Sequence, residues 1–204
     1  MAKVDMHRRP EALQRQLAGL SPGYRRVVAL DLATNCGVAW ADFKVGQPLG
    51  ATIIGGQLDL SIGQYDTAPL RLVRLKQFLA VLSPHIIGYE NVRATPPIDN
   101  RRVSPAAILA RAAPALELLG SLKSIMSLWA HENNVPAEGY SIGTIKKRAT
   151  GKGNANKEQM IRAANAFFGT KLAVDDYQST GADNIADALW VCQLTLEGNC
   201  DGIS

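Results

Sequence analysis

A single acid interrupts the first strongly apolar stretch of the sequence, and this feature constrains the fold more than any other. Arg26 is followed by Val-Val-Ala-Leu-Asp-Leu, which places Asp31 inside a run typical of a β-strand. A strand this apolar is expected to be buried on both faces, where a lone carboxylate is costly. Such an acid is tolerated at the carboxyl end of a strand, facing a site. An exposed strand edge, or a cap on the turn at Thr34-Asn35, would give the same pattern.

The remaining periodicity predicts a mixed α/β chain. We expect strands at 26–32, 36–41, 51–58, 85–90 and 137–142, and helices at 70–82, 114–133, 157–168 and 183–196. The first three strands are joined by short links that contain Gly or Asn, which indicates an antiparallel meander. The later strands are separated by helices, as in α/β folds. Residues 91–105 and the basic segment that precedes Lys157 are expected to be loops.

Basic residues are concentrated in two parts of the 204-residue chain. Residues 1–26 hold six of them against two acids, while the rest of the chain is neutral overall. We therefore treat residues 1–24 as a basic N-terminal arm, with a short helix at 10–20, and residues 25–204 as one domain. A second cluster contains Lys146, Lys147, Arg148, Lys152 and Lys157. Two such clusters predict a polyanionic partner, although each run alone is also typical of a solvated surface.

Several classes of protein are disfavoured. No apolar run has the length of a membrane span or signal peptide, so we expect a cytoplasmic protein. The three cysteines form no C-x-x-C pair, and no two histidines have zinc-ligand spacing. Gly19-Leu20-Ser21-Pro22-Gly23 matches a nucleophile elbow by letter but precedes the first strand. Gly151-Lys152-Gly153 lacks the upstream glycine of a phosphate-binding P-loop.

Three further acids have placements that resemble that of Asp31. Glu90 ends the apolar run Ile-Ile-Gly-Tyr, and Asp183 and Asp187 are four residues apart, so a helix would put both on one face. Taken separately, Glu90 could lie at an exposed strand end, and Asp183 could be a helix cap. Taken together, the four acids predict a hard oxygen site for Mg²⁺, with Mn²⁺ as a substitute. Two such ions can activate a water and stabilise the leaving oxygen of a phosphodiester.

These residues together resemble the RuvC family of Holliday junction resolvases, over most of residues 26–196. The matching segments are Ala29-Leu30-Asp31 followed by Gly37 and Ala39, Ile87-Gly88-Tyr89-Glu90, Ile145-Lys146 through Lys157, and Ala186-Asp187-Ala188-Leu189. The resemblance implies an RNase H-like fold, a five-stranded mixed sheet flanked by helices. It also implies a homodimeric, Mg²⁺-dependent crossover junction endodeoxyribonuclease of DNA recombination and repair, which nicks two strands of a four-way junction.

The same resemblance implies roles for individual residues. Asp31, Glu90 and Asp187 would be metal ligands, and Lys146 and Lys157 would serve the DNA near the cleaved phosphate. The helix at 114–133 would form the dimer contact. Lys147, Arg148 and Lys152 are candidate DNA-binding residues because they lie in the same basic segment.

Two positions depart from the family pattern. The family's third acid lies three residues before its last, where this chain has Asn184, so we predict that Asp183 completes a two-ion site. Bacterial members place an aromatic wedge where this chain has Arg93, a residue that either contacts DNA or is a solvated loop arginine. The asparagine keeps open a junction-binding protein with a degraded catalytic site. A related nuclease acting on flaps or RNA also remains open, whereas an actin-like ATPase is disfavoured by the short chain.

Overall fold

A five-stranded mixed sheet forms the centre of the protein. The computed structural model describes residues 20–92 and 105–199, with only the backbone of residues 105–109 and 111. The strands have the order β3-β2-β1-β4-β5. β1 is antiparallel to β2 and parallel to β4, β2 is antiparallel to β3, and β4 is parallel to β5. The strands are β1 (Tyr24–Asp31), β2 (Asn35–Lys44), β3 (Ile54–Asp59), β4 (Ile86–Glu90) and β5 (Ala137–Tyr140). The predicted five-stranded mixed sheet is thereby confirmed.

Six helices occur in the described part of the chain. They are α1 (Leu70–Leu82), α2 (Pro105–Glu132), α3 (Ile142–Thr150), α4 (Lys157–Phe168), α5 (Tyr177–Thr180) and α6 (Ala182–Gly198). The helix predicted at 114–133 therefore begins earlier, and Pro114 lies inside it at an exposed position. The predicted strand boundaries were also wrong in detail, because β2 continues to Lys44 and β3 begins only at Ile54.

The segment that we expected to be a basic loop contains a helix, α3, so that expectation was wrong. Ser141 caps its start, because the side-chain oxygen accepts a hydrogen bond from the backbone N–H of Thr144 at 3.2 Å. Gly151 ends the helix in a left-handed conformation, which glycine adopts at little cost. Only Ile145 is buried in this short helix, so its apolar periodicity in the sequence is too weak to identify it.

The sheet is covered on both faces. Alternate residues of β1 face opposite layers: Val27 and Ala29 pack with α6 and α4, whereas Val28 and Leu30 pack with α1 and α2. This arrangement buries both faces of the central strand, as the apolar run around Asp31 predicted.

The central helix α6 lies very close to the sheet because the strands beneath it contain glycines. A side chain at Gly37 would collide with the backbone carbonyl of Asn184, and one at Gly88 would collide with Thr195. Gly37 is the register partner of Asp31 across β1 and β2. The close packing therefore holds the first turn of α6 above the edge of the sheet where β1 ends.

Some sequence-based expectations fall on parts of the chain that are not described. Residues 1–19, which include nearly all of the basic arm and its short helix, lie outside the described residues, as does Arg93. Within residues 20–92 and 105–199, no helix has both the length and the apolar character that crossing a membrane requires.

Candidate active site

Three carboxylates converge at the edge of the sheet where the parallel strands end. Asp31 is the last residue of β1 and Glu90 the last of β4, and the register of these parallel neighbours pairs Leu30 with Tyr89 just before them. Asp187 reaches the same point from α6. One carboxylate oxygen from each of Asp31, Glu90 and Asp187 lies within 4.8 Å of the others. The topology thus brings together three of the four acids selected from the sequence.

The three carboxyl groups are placed where ionisation is unfavourable. Asp31 is 9% exposed and Glu90 is 7% exposed. Burial raises the pKa of Asp31 well above its ordinary value, and the negative charges of Glu90 and Asp187 raise it further. Burial likewise raises the pKa of Glu90, although a hydrogen bond with Asp31 opposes this shift. Two buried carboxyl groups that hydrogen bond to each other share a proton, so the pair does not carry its full charge without a cation.

The ionisation of Asp187 is disfavoured for the same reasons. Burial raises its pKa from 3.8 to about 7, and the charges of Glu90 and Asp183 act in the same direction. Lys146 and Lys157 oppose the shift, since their positive charges favour the ionised carboxylate. Both lysines act on Glu90 in the same way. The two lysines predicted to serve the cleaved phosphate therefore lie within electrostatic range of the carboxylates.

Asp183, the fourth acid, is engaged by a lysine. Its side chain forms an ion pair with Lys157, and it is only 6% exposed. This hydrogen bond, followed by the charges of Asp183 and Asp187, raises the pKa of Lys157. The Lys157 ammonium also lies 5.6 Å from the centre of the Tyr177 ring. Tyr177 belongs to α5, a helix of four residues that no sequence pattern indicated, so its contact with Lys157 could not be anticipated.

Asn184, the alternative fourth ligand, is held by a different part of the protein. Its amide Nδ2 donates a hydrogen bond of 2.6 Å to the backbone carbonyl of Asn35, at the start of β2. The side chain therefore ties the first turn of α6 to the turn between β1 and β2. Asp183, one residue earlier, is the residue whose charge acts on Asp31 and Asp187.

The other basic residues of the segment differ in their surroundings. Lys147 and Lys152 are exposed. Arg148 instead forms a two-pronged ion pair with Glu197 of α6, in which its Nε lies 2.9 and 3.0 Å from the two carboxylate oxygens. Its guanidinium also lies 5.5 Å from the ring centres of Phe167 and Trp190. Arg148 thus links α3, α4 and α6, a structural contact that its position in a basic run did not indicate.

The carboxylate cluster fits a small, hard divalent cation. Carboxylate oxygens are the ligands that Mg²⁺ and Mn²⁺ prefer, and one oxygen from each of Asp31, Glu90 and Asp187 lies within 4.8 Å of the others, so a small side-chain movement would let one ion contact all three. The pKa values of Asp31 and Asp187 are raised because burial brings like charges together and the surrounding protein supplies too little positive charge to balance them. A bound dication would supply that compensation.

Known proteins with this architecture were identified by comparison. RuvC of Thermus thermophilus, solved in complex with a Holliday junction substrate, superposes with a TM-score of 0.58 at 20% identity, covering 85% of this chain and 96% of that one. A second structure of Thermus thermophilus RuvC gives a TM-score of 0.54 at 18% identity, covering 85% of this chain and 96% of that one. The yeast mitochondrial Holliday junction resolvase Ydc2 gives 0.50 at 16% identity, covering 94% of this chain and 88% of that one.

Sequence similarity is confined to a shorter stretch. The chain is 39% identical over 57 residues to the crossover junction endodeoxyribonuclease RuvC of Brachyspira hyodysenteriae. That stretch is 28% of this chain, and it spans only 33% of the relative's length. No protein-family model matches the chain. The comparisons therefore confirm the predicted resemblance to RuvC, and the chain has the RNase H-like fold of the RuvC structures.

Proposed function

We propose that the protein is a metal-dependent endonuclease that resolves four-way DNA junctions by paired nicking. The observation that carries this proposal is the cluster of Asp31, Glu90 and the half-buried Asp187 at the carboxyl ends of the strands of an RNase H-like sheet, with two lysines beside it. The proteins that share the fold are described as a RuvC bound to a Holliday junction and as a Holliday junction resolvase. The activity that these names describe is one that a cluster of metal-binding carboxylates can perform.

The four acids would divide the binding of two divalent ions. Asp31, Glu90 and Asp187 would hold one ion, and Asp183 would complete the second position once Lys157 releases it. The ions would be Mg²⁺ or Mn²⁺, and they would supply an activated water and a stabilised leaving oxygen for phosphodiester hydrolysis. The products would carry 5′-phosphate and 3′-hydroxyl ends, as the resemblance implies.

The basic residues would act on the DNA. Lys146 and Lys157 lie in electrostatic range of the carboxylates, where an ammonium can stabilise negative charge on the attacked phosphate. Lys147 and Lys152 are exposed and would contact phosphates farther along the strand. Arg148 would contribute through its ion pair with Glu197, which positions α3, as well as by any DNA contact. Arg93 and the basic arm at 1–24 would add further DNA contacts.

Paired nicking requires two active sites, and we propose that a homodimer provides them. The candidate contact is α2, whose inner side packs Leu122, Met126 and Trp129 into the core. Its outer side leaves Leu128 48% exposed, together with exposed small residues such as Gly120 and Ser124. A second copy placed against this side would cover the exposed leucine.

The deciding experiment offers synthetic four-way junction, flap, linear duplex and RNA–DNA hybrid substrates to the protein in Mg²⁺ and in EDTA. We expect symmetric nicks near the branch of the four-way junction in Mg²⁺ and none in EDTA. Preferential cleavage of the flap or the hybrid would instead identify a nuclease with another substrate.

The second candidate function is junction binding without cleavage. It is favoured by Asn184, which stands where the family has an acid and whose side-chain amide donates a hydrogen bond to the Asn35 carbonyl. Tight and specific junction binding with no nicks in either Mg²⁺ or Mn²⁺ would support this alternative and contradict the nuclease.

A further inference from the structure

The loop between β3 and α1, residues 60–69, carries an aromatic ring that does nothing for the fold. Tyr65 is 94% exposed, more than any other large apolar side chain in the described part of the chain. An aromatic side chain usually contributes to stability by burying a large area, and here that area stays in water. A role in binding explains the ring better than a role in folding.

The loop around Tyr65 is nevertheless firmly held. The Asp66 carboxylate accepts a hydrogen bond of 2.8 Å from the backbone N–H of Gly63 and forms an ion pair of 3.3 Å with Arg74 of α1. Arg74 also donates a hydrogen bond to the backbone carbonyl of Ser61. The residues on both sides of Tyr65 are thus fixed to the same arginine. Such bracing lowers the conformational entropy that a binding residue would lose on contact with its partner.

The braced loop lies at the same edge of the sheet as the carboxylates. β1 and β3 are both antiparallel to β2, so they run in the same direction and end at the same edge. Two strand spacings separate them, which is about 10 Å. The backbone N–H of Leu60 donates to the Thr34 carbonyl at 2.8 Å, and the neighbouring Asn35 carbonyl accepts the amide of Asn184. One turn therefore anchors both the Tyr65 loop and the first turn of the helix that carries Asp187.

We propose that Tyr65 stacks on an unstacked nucleobase of branched DNA, a few nucleotides from the cleaved phosphate. The inference rests on the proposed function and extends it by assigning a residue that recognises the branch. Stacking of a base on an aromatic side chain strengthens binding by roughly five- to 150-fold per base and needs no particular sequence. Bases inside a continuous duplex are already stacked, so Tyr65 contributes to binding only where a branch or a single strand exposes one.

The surroundings of the ring favour a base over an apolar protein surface. Tyr65 stands between Gln64 and Asp66, and the next residue, Thr67, is also exposed. In the described part of the loop the residues on either side of the ring are polar, so the ring offers little contiguous apolar area for a protein interface. A planar base requires only the face of the ring.

The test compares wild-type protein with Tyr65→Ala, Tyr65→Phe and Tyr65→Trp. Affinities for a four-way junction, a flap and a linear duplex are measured in EDTA, so that cleavage does not interfere. Each branched substrate carries 2-aminopurine at successive positions around the branch, because the fluorescence of this base reports its stacking. Leu49→Ala is the matched control, since Leu49 is 66% exposed but lies in the connection between β2 and β3, at the opposite edge of the sheet.

We expect Tyr65→Ala to weaken binding of the junction about tenfold and to leave duplex binding unchanged, whereas Phe and Trp retain the affinity. One 2-aminopurine position should respond to the wild-type protein and not to Tyr65→Ala. Equal affinities of wild type and Tyr65→Ala for both branched substrates, or an equal loss on duplex DNA, would overturn the inference. Cleavage by the wild type in Mg²⁺ is scored separately. If no junction is cut, the proposed function fails, and the affinities for the flap still decide whether Tyr65 stacks on an exposed base.

Discussion

β1 carries a buried charged residue near each end, and only one of the two charges is balanced by an opposite charge nearby. Arg26 is 4% exposed, and its guanidinium meets both carboxylate oxygens of Asp42 on β2, at 2.6 and 2.7 Å. A third hydrogen bond of 2.9 Å goes to the backbone carbonyl of Leu82. Five residues later, Asp31 is almost as buried, but its nearest charged neighbours are the carboxyl groups of Glu90 and Asp187.

The difference distinguishes a charge that the protein balances itself from one that it leaves unbalanced at the candidate site. The charge of Arg26 is balanced by a partner within the protein, so nothing further needs to bind there. The carboxylates around Asp31 repel one another and keep their protons at unusually high pH, which costs stability unless a cation arrives. Such a local violation of the folding rules is expected where a site has been kept for binding.

Replacing Asp31 should give the largest effect on activity. Asp31→Asn is nearly isosteric but removes the charge of a proposed metal ligand, so we expect nicking of a four-way junction in Mg²⁺ to fall by roughly a thousandfold or more. Junction binding in EDTA should persist, and the free energy of unfolding should not fall, because a like-charge repulsion is relieved. Gel assays of nicking and binding, with urea denaturation of the same samples, measure all three. Near-normal nicking would refute the role of Asp31.

Replacing Asp42, the partner of Arg26, should lower stability and leave activity unchanged. Asp42→Ala leaves the buried guanidinium without its counter-charge, which we expect to lower the free energy of unfolding by about 3 kcal/mol. The rate of nicking by the protein that remains folded should be unchanged. Urea denaturation of this variant beside Asp175→Ala, which removes an exposed acid, measures the difference. If the two variants are equally stable, the Arg26 end of the strand is not the structural one.

The sequence was sufficient to predict the strand that carries Asp31 and the one that carries Glu90, because a buried strand with a terminal acid is a local pattern. The convergence of these acids depends on the strand order, which places β4 beside β1 and which the sequence pattern did not establish. The short helix α3 was missed because it buries only Ile145. The hydrogen bond between Asn184 and Asn35 joins residues 149 positions apart, and no local pattern reports such a contact.

The same contrast between a proposed functional residue and a structural one can be tested at the start of α6. There Asp183 pairs with Lys157, whereas the adjacent Asn184 hydrogen bonds to the backbone of Asn35. We expect Asp183→Ala to weaken nicking in Mg²⁺ at least tenfold, with partial recovery in Mn²⁺, because a carboxylate adds both an oxygen and a charge to a hard-ion site. Asn184→Ala should lose less activity and about 1 kcal/mol of stability, since it loses one hydrogen bond. Mg²⁺ titrations of both variants on one junction provide the measurement. An inactive Asn184→Ala beside an active Asp183→Ala would reverse the assignment.

The last expected effect is a change in how stability depends on pH in the metal-free protein. Burial raises the pKa of Asp187 from 3.8 to about 7. Between these two values the native state keeps a proton that the unfolded chain has released. The contribution of Asp187 to the free energy of unfolding should therefore fall as the pH rises from about 4 to about 7 and become level above that, by at most about 1.4 kcal/mol per pH unit for one proton. Asp187→Asn lacks this titration and should show a flatter profile.

The Arg148–Glu197 ion pair should make stability depend on pH in the opposite direction. Its hydrogen bonds lower the pKa of Glu197, so its contribution to stability is present at neutral pH and is lost only as the pH falls below the ordinary range for a glutamate. Denaturation in EDTA at pH 5, 6, 7 and 8 thus isolates the acidic site, because Glu197 stays ionised throughout this interval. Saturating Mg²⁺ should remove the decline in the wild type, since an ion that binds the ionised carboxylates displaces their protons. Parallel pH profiles for wild type and Asp187→Asn in EDTA would mean that Asp187 ionises normally, and the distinction between the two ends of β1 would then lose its electrostatic basis.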